Sequence, residues 1–117
     1  MEELMTFFKN RIADAQKSAC DLRADGREDE AALEQIRGNI YGIFVSVIET
    51  GTTHTGSPEE LKSFFEKNLE RIPSGWVIAR DKARERGDTV RVVQEEVKLN
   101  AIQEIRDAYR QFCGDAS

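Results

Sequence analysis

Few side chains in this sequence are suited to covalent or acid–base chemistry: one histidine, His54, and two cysteines, Cys20 and Cys113. One histidine and two isolated cysteines do not supply a recognisable zinc site, and no Glu-x-x-His pair suggests a di-iron bundle. Any acid–base or phosphoryl-carrier function must therefore pass through His54, because imidazole is the group that titrates near neutrality. Neither cysteine adjoins a histidine or a basic cluster that would favour its thiolate. Both are expected to be inert, small, buried hydrophobes, held as thiols in a reducing compartment.

His54 lies in Thr-Gly-Thr-Thr-His-Thr-Gly, residues 50–56, a run of turn-forming residues without a periodic apolar position. That run reads as an exposed loop. A phosphoryl carrier would present its histidine from a helix face, so His54 is expected to be an incidental loop residue. Phosphoryl or small-molecule transfer through it is the alternative. No Gly-x-Gly-x-x-Gly or Walker-type loop occurs, so no nucleotide cofactor is expected, and a non-enzymatic role follows.

Charged side chains give two further candidates. Glu66, Glu70 and Glu95 alternate with Lys and Arg as on a solvated helix surface and are expected there rather than as ligands. Arg80, Lys82, Arg84 and Arg86, with Trp76 nearby, form the one basic segment, since residues 74–87 hold four basic and two acidic side chains. Such a segment can contact phosphates by releasing counterions, and weak nucleic-acid binding through Arg80–Arg86 is a second alternative. Asp81 and Glu85 interrupt it, however, and the net charge of −5 repels a polyanion at longer range, so nucleic acid is not the expected partner. Trp76 is expected to seal the end of a core.

The elements that must position these residues follow from apolar spacing. Leu4, Phe8, Ile12, Ala15, Ala19 and Leu22 share one side of a helix over about residues 3–24, which Asp25-Gly26 ends. A second helix over 27–50 opens with Glu28, Asp29 and Glu30 at the positive end of its dipole. Its core stripe is Leu33, Ile36, Ile40, Ile43, Phe44 and Val47. Residues 40–48 are β-rich in composition, so a short strand is the alternative there, although no partner strand is evident. Ser57, Pro58 and Glu60 make a capping box that starts a third helix over 58–72, with Leu61, Phe64, Phe65, Leu69 and Ile72 inward.

After Pro73-Ser74-Gly75 a short fourth helix is expected over 75–86, ending at Gly87. Asp88 then caps the longest, over 89–113, whose core stripe reads Val90, Val93, Val97, Ala101, Ile105, Ala108 and Phe112. Gly114 to Ser117 reads as a short tail.

Hydrophobic residues at 39% and charged residues at 33% suit one ordered domain, and 117 residues leave no room for two comfortable cores. No apolar run approaches a membrane span. The acidic start lacks the features of a secretory signal, so a cytoplasmic address is expected. The expected fold is an all-α, four- to five-helix antiparallel bundle, a single domain. Its expected role is protein–protein interaction or self-association, as a possible homodimer. Two surfaces suggest it: the small-residue face Gly38, Gly42, Ser46, and the second apolar set Val92, Leu99, Ile102 that widens the last helix.

Overall fold

A computed structural model describes residues 1–114; residues 115–117 of the expected tail lie outside the described part. The chain is an all-α bundle of five helices: α1 (Glu2–Ala24), α2 (Glu28–His54), α3 (Pro58–Arg71), α4 (Ser74–Arg86) and α5 (Thr89–Phe112). Residues 40–48 are helical throughout, so the strand alternative falls. Each end is set by local chemistry. Gly26 adopts a left-handed φ of 74° and lets the Arg27 N–H reach back to the Leu22 carbonyl at 2.8 Å. Ser57 accepts from the Glu60 N–H at 3.2 Å while the Glu60 carboxylate accepts from the Gly56 N–H. Asp88 caps α5 by accepting from the Arg91 N–H at 3.1 Å.

Helix α2 does not stop at residue 50 as its composition suggested. It continues to His54, and the expected loop shrinks to residues 55–57. The physical reason is twofold. The hydroxyls of Thr52, Thr53 and Thr55 donate to the carbonyls of Ile48, Glu49 and Gly51, each four residues back, instead of diverting the backbone into a turn. Gly51 is buried beneath α3, where a Cβ would stand 2.6 Å from Leu61 Cδ1 and 2.8 Å from Phe64 Cδ2. A residue that weakens an isolated helix is here the one that lets two helices touch.

Between α3 and α4 the backbone stays right-handed through Ile72 and Pro73, so the two helices run one after the other rather than folding back as a hairpin. Pro73 lacks the N–H that would bond the Leu69 carbonyl, and Arg106 of α5 supplies the substitute donor at 3.1 Å. Both α3 and α4 lie antiparallel to α5: Glu66 meets Tyr109 and the Leu69 carbonyl meets Arg106, while Trp76 lies by Lys98 and Arg84 by Glu96. Helix α1 is antiparallel to α2. Helices α2 and α5 run in the same direction: Leu33 shares a groove with Val93, and Arg37 and Tyr41 both reach Glu104 further along.

The core is aromatic and lies at the end where α1, α2, α3 and α5 converge. Phe65 stacks on Tyr109 at 4.9 Å between ring centres and on Phe8 at 6.3 Å, and meets Phe44 edge-on at 5.7 Å. Ile40, Tyr41, Ile102 and Ile105 close the space between these rings. Tyr41 and Tyr109 keep their hydroxyls satisfied at the rim, on Glu104 and Glu66. The radius of gyration is 15.6 Å, against about 13 Å for a compact domain of this length, and the extents are 46 × 34 × 26 Å. The excess fits the placement of α4, which lies chiefly on α5 rather than on the aromatic core.

Candidate functional site

The structure redistributes the residues singled out by chemistry. His54 stands exposed on the last turn of α2, not in a loop. Cys20 is exposed on α1, contrary to its expected burial, because it falls on the outer side of the α1–α2 hairpin beside Gly38 and Gly42. Cys113 is half-buried, with its sulfur 3.8 Å from Met1 Sδ at the other end of α1. Among the described residues no three His, Cys, Asp or Glu side chains are grouped so as to hold a metal ion. In the basic segment, Arg80 pairs with Asp81 at 3.2 Å and Arg84 with Glu96 at 2.7 Å. No ion pair involves Lys82 or Arg86 among the described residues.

The expected interface residues separate in the same way. Gly38 packs against α1, with Ala15 Cβ only 3.1 Å from where its own Cβ would be, so this glycine serves contact within the chain. Gly42 meets open space beside that contact, and Ser46 is exposed. Ile102 is 1% exposed and belongs to the core, which corrects its assignment to a surface. Val92 and Leu99 are half-buried, Leu99 against the core.

The true surplus of apolar surface on α5 lies elsewhere. Val90 and Val93, expected inside, are 67% and 44% exposed, and Ile43 of α2 is also exposed. Their turn of α5 lies beyond the reach of the aromatic core, so the inward stripe loses its partners there. Val90 and Val93 instead line a groove of about 300 Å³ with Thr89 and Gln94 of α5 and Asp29, Ala32 and Leu33 of α2. Its lining is mostly apolar and includes the Asp29 carboxylate, for which the described residues offer no ion-pair partner. Its neighbours Glu28 and Glu30 face Arg23 and Arg27, and the Arg27 hydrogen bond holds Glu30 below its ordinary carboxylate pKa. The rim contributed by α2 is therefore acidic at neutral pH, with two basic and six acidic side chains over residues 25–50.

Glu95 is the second departure. It was expected on the surface, yet it is 1% exposed on α5. One oxygen accepts from Arg91 Nε at 2.7 Å and from Lys98 Nζ at 3.3 Å, while Oε1 has no hydrogen-bond partner. Lys98 in turn lies over the Trp76 ring of α4, 5.8 Å from its centre. The sequence carried a signal for this arrangement, since cations stand four residues before and three after Glu95 on the helix. Depth was the missing information. The Trp76 ring does pack against the core edge as expected.

At Tyr41, burial first and the bond to Glu104 second push the hydroxyl well above its ordinary pKa. It is a neutral donor at any physiological pH, fixing α2 to α5 just beyond the groove. The groove, lined by one free carboxylate and by alanine, leucine and valine, has the chemistry to take an apolar side chain flanked by a cation. No helix is long and apolar enough to cross a membrane among the described residues. Comparison of the chain with protein-family models, curated proteins and solved structures gave no significant match.

Proposed function

We propose that the chain is a non-enzymatic, cytoplasmic binding protein that docks a helix of a protein partner in the α2–α5 groove. The observation that carries this reading is the exposure of Val90 and Val93 beside Ala32 and Leu33, with an unpaired Asp29 also lining the groove. Exposed valines on an otherwise charged helix cost solvation energy at about 25 cal/mol for each Å² left in water. A helix that lays one apolar edge into a groove recovers this, and a cation on its next turn meets Asp29. Self-association belongs to the same reading, because a second copy is one such partner.

A photoreactive amino acid placed at Val93, with a control at the exposed Lys17 on α1, tests the reading in the native cell. The expected outcome is a discrete adduct from position 93 and none from position 17. Equal or absent adducts at both positions would refute it.

A further inference from the structure

We infer that the occupant of the α2–α5 groove is helix α4 of a second copy of this chain. The inference rests on the docking reading above and adds the identity of the partner. Two surfaces of the same molecule are complementary, and neither is satisfied within it. Ile78 of α4 is 56% exposed, and Lys82 and Arg86 follow it at steps of four, which sets all three along one side of the helix. Neither cation has an ion-pair partner among the described residues, whereas Arg80 and Arg84 are held by Asp81 and Glu96. Along α4 the order is thus apolar, then basic, then basic.

The groove offers the matching order along α2: Asp29 first, with Glu28 and Glu30 beside it, then Ala32 and Leu33 against Val90 and Val93. Apolar meets apolar and cation meets carboxylate only if α4 lies antiparallel to α2, Ile78 seated between Leu33 and Val93 and Lys82 and Arg86 approaching Asp29. That direction also brings the negative C-terminal end of α4 to the positive N-terminal end of α2. Residues 74–87 are basic in excess and residues 25–50 acidic in excess, so the two surfaces attract, whereas groove against groove would set Asp29 toward its own copy. The contact is heterologous, because α4 and the groove are different patches of one chain, and it can extend from copy to copy.

Two variants that each destroy one half of the contact provide the test. Val93→Asp disables the groove and leaves α4 intact; Ile78→Asp disables α4 and leaves the groove intact. Both sites are exposed, and circular dichroism confirms the fold before use. By sedimentation velocity on the purified chain, the wild type is expected to associate increasingly with concentration, and each variant alone to weaken by at least about tenfold, the effect of losing one central interface residue. An equimolar mixture of the two variants is expected to form a 1:1 dimer and nothing larger, since a single intact contact remains. Asp29→Lys mixed with a Lys82→Glu, Arg86→Glu chain repeats the test by charge reversal.

A wild type that stays monomeric up to near-millimolar concentration overturns the inference, as does self-association of Ile78→Asp at the wild-type strength. A monomeric pure chain together with an adduct at position 93 to a different protein would end the inference while leaving the docking reading standing. Absence of both would end the two together.

Discussion

The two ends of α5 are built on different physics. Its C-terminal half, from Ala101 to Tyr109, is locked among Phe8, Tyr41, Phe44 and Phe65 by ring contacts and by two satisfied tyrosine hydroxyls. Its N-terminal half meets α4 through small or polar groups, Ala83 and the Glu95 cluster among them, and leaves Val90 and Val93 in solvent. A continuous apolar pattern on one helix thus serves folding at one end and leaves apolar side chains in solvent at the other. The difference follows from how many helices surround each turn. Burial of aromatic area dominates where four helices converge, and surplus apolar surface remains where α2 and α4 flank α5 without closing over it.

The contrast is broken most severely at the aromatic end. Phe65→Ala removes the ring that joins Phe8, Phe44 and Tyr109 and is expected to cost about 3–5 kcal/mol, seen as a large fall in denaturation midpoint. An equal loss from Val93→Asp in the groove would show that the two halves fold as equals.

Gly51→Ala should follow, at about 1–3 kcal/mol, because the added methyl meets Leu61 and Phe64 inside contact distance. A stabilised protein would mean that α3 can shift away freely and that helix propensity alone decides at this position.

The Glu95 cluster sharpens the comparison from the other side. A buried carboxylate with one orphan oxygen is weak support for a fold, so Glu95→Leu is expected to be neutral or to stabilise by up to about 4 kcal/mol, with slower amide exchange in α4. Faster exchange there would make the ion cluster the tie that holds α4 to α5.

The smallest effect concerns Tyr41. Its hydroxyl titrates higher when folded than when unfolded, so above the unfolded value of about 10 the unfolded state releases protons that the folded state retains. Stability is intact below that pH and declines as pH rises through and beyond it. Tyr41→Phe should flatten this alkaline decline in urea titrations; a decline unchanged by the substitution would assign it to other groups.

Much of the helical architecture could be read from residues 1–114 because it rests on local rules. The Ser57–Pro58–Glu60 cap, the left-handed glycines 26 and 87, and the steps of three and four in Leu4, Phe8, Ile12, Ala15 and Ala19 each act within a turn or two of themselves. Elsewhere a distant partner decides the local structure. Thr50–His54 looked like a loop until α3 arrived to pack on Gly51. Tyr41 stands outside the apolar stripe expected for α2, yet it is fully buried, its hydroxyl donating to Glu104, 63 residues away.

The candidate groove shows the same division. Sequence alone determined that α5 carries more apolar breadth than one seam needs, that residues 25–50 are acidic and that residues 74–87 are basic, since these are counts and spacings along the chain. Only tertiary structure decided which of those apolar residues face solvent: it buried Ile102 and Glu95 and left Val90 and Val93 exposed beside Leu33. Periodicity fixes which residues share a side of a helix, but exposure depends on which other helices reach that side, and this is set by the right-handed passage from α3 through Pro73 into α4 and by the parallel run of α2 and α5.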